Sequence, residues 1–200
     1  MLKELEFNFK ENRNYIHGPD IYNAILSLYK DNIASNFELS FHNIAHNNLI
    51  LSNIKPDNLQ ELRFICNFLK KDSSFCCLYG IDNPLSKPTL SKPTLSKPYL
   101  EESITENITI NYTEKSIILN NTSNFTYIEE IVALNKHLLN NIFPQAKGKW
   151  YFSKLQFQNI PLEKSYPIKI VFKSNFNFLI VKSEIYFNDK FMGFIYFSLK

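Results

Sequence analysis

The chain has 200 residues, 44% of them hydrophobic and 15% aromatic, with a formal charge of +3. That is enough apolar material for one or two cored domains; the mild charge says little about partners by itself, and no nucleic-acid partner is expected because basic residues are not interleaved with the aromatics on one face. The charge is uneven: residues 146–200 hold nine Lys against three acids, a net of +6, which leaves 13 − 16 = −3 for residues 1–145. Phe and Tyr reach 18 and 11, a bias that favours strands.

Residues 1–14 lack an apolar signal core, and no stretch approaches the roughly 18–20 apolar residues of a membrane span. A cytoplasmic protein without a membrane partner is expected. Cys66, Cys76 and Cys77 lie in apolar runs without a CxxC pair, so they read as reduced thiols, with Cys76 and Cys77 on opposite faces of a strand.

In chain order, a strand is expected at Glu4–Phe9, then a helix opening at His17-Gly18-Pro19-Asp20, where Pro19 suits the first turn and Asp20 the positive helix end. Ile21, Ala24, Ile25, Leu28 and Tyr29 space out one buried helical face. Strands follow at Phe37–Phe41, Asn48–Ser52, Glu61–Leu69 and Ser74–Ile81. Next comes Ser86–Leu100, a five-residue unit repeated three times (SKPTL, SKPTL, SKPYL). Proline at every fifth position forbids a helix or a central strand, and the segment reads as an extended linker.

Beyond the linker, strands are expected at Ile104–Tyr112 and Ser116–Leu119. A helix runs from Tyr127 to about Asn141, with a wide apolar stripe over Tyr127, Ile128, Ile131, Leu134, Leu138 and Ile142, broadened by Val132 and Leu139. Four strands then read at Lys149–Phe157, Ile168–Phe172, Phe178–Phe187 and Phe191–Leu199. Asn188-Asp189-Lys190 supplies a tight hairpin, and Gly193, in mid-strand, marks a bulge or bend. The order strand, helix, four strands therefore occurs twice, giving an α+β chain with a first half at 1–82, a linker at 83–101 and a second half at 102–200.

Several residues read as chemical candidates. His17, in the loop before a helix, is either a general base or a local cap; Arg13, one of two arginines, is either an anion binder or a solvated charge. Tyr15 and Asp20 lie beside them. In the second half, Asn121, Asn124, Glu129 and Glu130 occupy the corresponding place, where amides cap and acids favour the helix dipole. Asn135 within the apolar stripe is expected as a satisfied core amide or a substrate contact. Trp150 reads as core or pocket wall. His42 and His46 lack a third metal ligand, and no phosphate-cradling loop, nucleophile elbow or HExxH is present, so no metal or cofactor is expected.

The element order resembles the double hot-dog fold of acyl-thioester dehydratases, thioesterases and acyl-transfer proteins. Two stretches carry the likeness: YIHGPDIYNAIL at Tyr15–Leu26, similar to the His-x-x-Gly-x-Pro loop of dehydratase members but with Gly18 directly after His17, and YIEEIVALNKHLL followed by GKWYF. The resemblance implies two hot-dog-like units, each a central helix wrapped by a curved antiparallel sheet. It implies fatty-acid-like or polyketide-like biosynthesis on acyl carrier protein or acyl-coenzyme A substrates, with a homodimer as one open assembly. It further implies a catalytic pair of His17 and Glu130 facing each other across the two halves, and substrate contacts from Arg13, Tyr15, Asp20 and Asn124. A non-catalytic protein that binds an acyl chain or a partner protein is the alternative.

Overall fold

The computed structural model describes residues 2–10, 13–83, 85, 89–90, 101–161 and 163–200. The Ser86–Leu100 repeat lies outside them except for the backbone of Thr89 and Leu90. The chain divides into two compact units, Met1–Tyr99 and Leu100–Lys200.

The first unit contains, in order, β1 (Leu2–Leu5), β2 (Asn8–Phe9), α1 (Gly18–Tyr29), β3 (Ile33–Phe41), β4 (Leu49–Ser52), β5 (Leu62–Lys70), β6 (Phe75–Asp82) and β7 (Thr89–Leu90). The strand expected at Glu4–Phe9 is split, because the Phe7 N–H donates to the buried Asn48 side chain (2.9 Å) rather than to a neighbouring strand. The sheet runs β1-β4-β6-β5-β3, every neighbouring pair antiparallel. β2 and β7 form a separate two-residue parallel pair.

Strict alternation along β5 sends Leu62, Phe64, Cys66 and Phe68 inward. α1 covers that face: the Tyr22 ring stands edge-on to Phe37 at 5.4 Å, and Tyr29 meets Phe68 at 5.7 Å. Cys76 pairs across from Phe68 and Cys77 from Asn67, so the adjacent thiols do take opposite faces. Burial pushes the Cys66 thiol well above its ordinary range, which leaves it a small apolar side chain.

The second unit contains α2 (Glu101–Ile104), β8 (Ile108–Asn111), β9 (Ser116–Leu119), α3 (Tyr127–Ile142), β10 (Trp150–Phe157), β11 (Ile168–Phe176), β12 (Ile180–Phe187) and β13 (Lys190–Leu199). The strand expected over Ile104–Tyr112 is shorter, β8 alone: Ile104 closes the helical turn α2, and residues 105–107 form a turn. Ile104 is buried there and Glu101 binds Lys136 of α3 at 2.9 Å, so tertiary contacts override a weak local pattern. The sheet order is β10-β13-β12-β11-β9-β8, again antiparallel throughout.

Both units thus place strand, helix and four strands in the same chain order, but they connect them differently. In the first, β4 pairs with β6; in the second, β11, β12 and β13 form a meander that returns to β10. The Asn188–Asp189 turn has φ of 47° and 61° at its two central residues, the left-handed pair that a two-residue hairpin needs. Gly193 has φ 155°, lies where the β12–β13 register shifts, and would drive any Cβ into the Gln156 carbonyl.

α3 is the most buried element. Ile128, Ile131, Val132, Ala133, Leu134, Leu138 and Leu139 are all in the core, so several of its sides are covered. Tyr127 meets Phe157 and Phe187 at 6.4 and 6.1 Å near its start. Near its end Phe143 joins Trp150, Phe172 and Phe178, which makes Trp150 a core residue. Each such side chain contributes about 1.5–3 kcal/mol on burial. Among the described residues no helix is long and apolar enough to cross a membrane.

Candidate functional site at the helix entrances

Each unit gathers its chemical candidates where the chain enters its long helix. In the first unit, His17 has extended backbone (φ −72°, ψ 132°) directly before α1. Its side chain makes no capping hydrogen bond; instead its carbonyl accepts from the N–H of Asp20 at 2.9 Å and of Ile21 at 3.4 Å. The helix start is therefore closed by the His17 carbonyl rather than by its side chain. The loop is held by the Ile16 N–H donating to the Ala45 carbonyl (2.9 Å) and by His46, whose Nδ1 lies 2.7 Å from the Asn14 carbonyl. Arg13, Tyr15 and His17 are half-buried, and Asp20 binds Lys10 at 2.7 Å.

In the second unit the amide cap expected at Asn124 is absent: Asn124 is exposed and Thr126 occupies the cap position. The Glu129 carboxylate accepts from both the N–H and the hydroxyl of Thr126 at 2.8 Å. Glu130, one residue on, is fully buried. Its Oε1 accepts from the Ser123 hydroxyl (2.7 Å), the Ser123 N–H (3.2 Å), the Lys164 ammonium (3.1 Å) and the Tyr166 hydroxyl (2.8 Å). Tyr166 also reaches Oε2 at 3.0 Å, and Lys164 donates to the Ser123 carbonyl at 2.9 Å. A buried carboxylate demands such company, since an unpaired one is very costly.

Lys164 and Tyr166 were not legible from sequence. They lie 34 and 36 residues from Glu130, in the irregular segment between β10 and β11, and no local pattern marks either. Ser123 shows one faint signal, a hydroxyl seven residues before an acid at a helix entrance.

Burial raises the Tyr166 phenol above its ordinary pKa, and the Glu130 hydrogen bond and charge add to that, while a Thr122 hydrogen bond and Lys164 oppose it. Tyr166 therefore stays a proton donor to Glu130. Tyr186, hydrogen-bonded to Glu184 at 2.7 Å, is pushed up to about 12. A phenol with a raised folded pKa holds its proton more tightly when folded. Its stabilising effect is complete below the unfolded value of 10.0 and is lost as pH rises toward about 12. Urea unfolding across that window is expected to show falling stability, with a shallower fall in Tyr186→Phe. Identical slopes in the two proteins would contradict it.

A second polar group lies deeper. Asn135, in the middle of α3, is fully buried, and neither atom of its amide has a hydrogen-bond partner among the described residues; the Ser183 hydroxyl of β12 shares that state. The expectation of a satisfied core amide is thus corrected. The α3 residues three and four positions away, Ile131, Val132, Leu138 and Leu139, are all aliphatic. Among the described residues no three His, Cys, Asp or Glu side chains gather as metal ligands.

No family model matches the sequence, and no curated protein does. Solved structures similar to this chain include thioesterases and polyketide dehydratase domains. A tesB protein of Mycobacterium avium subsp. paratuberculosis is 7% identical, with 97% of this chain and 91% of that one covered and a TM-score of 0.49. An acyl-ACP thioesterase from Bacteroides thetaiotaomicron is 12% identical, with coverage of 100% and 97% and a TM-score of 0.47. A monomeric dehydratase domain from a trans-AT polyketide synthase split module is 10% identical, with coverage of 100% and 99% and a TM-score of 0.47.

Proposed function

We propose that the chain processes acyl thioesters, carried on acyl carrier protein or coenzyme A, by dehydration, hydrolysis or acyl transfer. The supporting frame is a twice-repeated order of strand, helix and four antiparallel strands, read as two hot-dog-like units. The observation that carries the reading is the fully buried Glu130 carboxylate, held at the start of α3 by Tyr166, Lys164 and Ser123.

In this reading Glu130 is the acid–base group of the second unit and His17 the base of the first. Backbone N–H groups in the first turn of a helix are suited to polarise a thioester carbonyl. Arg13, Tyr15, Asp20 and Asn124 position the substrate, and the +6 charge of residues 146–200 complements a phosphate-bearing carrier.

A second reading draws on the same cluster. Glu130 Oε1 already accepts four hydrogen bonds, as a structural clasp would, and this favours a protein that binds an acyl chain or a partner without turnover. A panel of acyl-coenzyme A and acyl-carrier substrates separates the two, with released thiol and product mass as readouts. Turnover of at least one substrate is expected, reduced about 100-fold or more in His17→Ala. No turnover of any substrate, or full activity in His17→Ala, rules against the enzyme. Whether His17 and Glu130 serve one step is read from the non-additivity of the double mutant.

A further inference from the structure

The tip of the β11–β12 hairpin displays three large apolar side chains: Phe176, Leu179 and Ile180 are 67, 63 and 53% exposed, and Phe176 pairs with Ile180 across the turn. Single exposed apolar residues are ordinary, but a contiguous group on a projecting turn marks a contact surface.

The turn is built to hold them outward. Asn177 and Phe178 have φ of 47° and 58°, and a bulky residue such as Phe rarely adopts that left-handed backbone. What fixes it is the surrounding structure. The Phe178 N–H donates to Asn175 Oδ1 (2.7 Å), and the Leu179 N–H donates to the Phe176 carbonyl (3.0 Å). The Phe178 ring packs on Phe143 at 5.3 Å and Trp150 at 5.9 Å. One aromatic residue of the turn is thus inside, and its three apolar neighbours are left in water.

Lysines lie in the segments that flank this tip. The Phe178 carbonyl accepts from the Leu199 N–H (2.9 Å), which brings the end of β13 alongside. There Lys200 and Lys149 exchange backbone hydrogen bonds at 2.7 and 3.1 Å. Residues 147–151, 173–180 and 198–200 together hold four lysines, Lys147, Lys149, Lys173 and Lys200, and no Asp or Glu. All four are exposed, and Lys173 also reaches Glu184 at 3.3 Å.

We propose that this hairpin tip is an interfacial anchor for an anionic lipid surface, with Phe176, Leu179 and Ile180 entering the headgroup boundary and the lysines meeting lipid phosphates. Aromatic and aliphatic side chains flanked by lysine suit that boundary, where apolar insertion and charge attraction add. A flat acidic protein would use the lysines but leave the projecting apolar groups unburied.

The test is co-sedimentation of the whole protein with vesicles of phosphatidylcholine alone or mixed with phosphatidylglycerol, at low and high salt. Binding is expected to the anionic vesicles and to weaken with salt. It is expected to fall about tenfold or more in a Phe176→Ser, Leu179→Ser, Ile180→Ser variant, and severalfold in Lys149→Gln, Lys200→Gln. A Phe176→Trp protein, whose other tryptophan is buried, is expected to show a blue shift and quenching by brominated lipid. Either of two results overturns the proposal: no vesicle binding by the parent, or equal binding by the folded serine variant. So does Phe176→Trp fluorescence unchanged by lipid, or a serine variant that loses self-association in place of vesicle binding.

Discussion

Replacing Glu130 by Ala is expected to destabilise the protein by about 3 kcal/mol or more, because it strips a buried ionic network of its acceptor. Three donors then lose their partner together: the Tyr166 hydroxyl, the Ser123 hydroxyl and the Ser123 N–H. Lys164 is affected less, since its side chain is 27% exposed and can turn to water. Tyr166→Phe removes one donor of the same network and is expected to cost about 1–2 kcal/mol. Urea unfolding measures both. A loss below about 0.5 kcal/mol for Glu130→Ala would mean that the cluster holds nothing together. Glu130→Gln separates structure from chemistry: a folded variant without turnover supports the catalytic role, and a folded variant with full turnover makes Glu130 a clasp only.

Asn135→Leu is expected to act in the opposite direction and raise stability by about 1–2 kcal/mol. A buried amide with no partner forfeits its hydration, and an apolar side chain of similar size removes that cost. Few single substitutions stabilise, so the sign is diagnostic. A gain in stability with turnover intact marks Asn135 as a core imperfection. A gain accompanied by lost turnover marks it as a group kept at the expense of stability for substrate. A loss of stability contradicts the unpaired state of the amide.

The regular elements were legible where a local rule governs them. The apolar spacing of α3, the left-handed Asn188–Asp189 turn and the Gly193 bulge each follow from steric or periodic constraints that a few adjacent residues express. Failures came where distant residues decide. Ile104 ends α2 instead of opening a strand, with its side chain in the core and Glu101 held by Lys136. The first strand breaks because Asn48 takes the Phe7 N–H. In the candidate site, Glu130 was visible as an acid in a first helical turn, whereas Lys164 and Tyr166 are joined to it only by the fold. That the Asn135 amide has no hydrogen-bond partner among the described residues was invisible for the same reason, since a sequence records an amide but not its surroundings.

The most direct test of acyl-thioester recognition is titration with a hydrolysis-inert acyl-pantetheine thioether, followed by backbone and side-chain amide NMR. Saturable shifts are predicted for the His17 loop and for the Ser123 and Glu130 amides at the start of α3. Unmoved resonances at both places with the ligand in large excess would contradict the assignment.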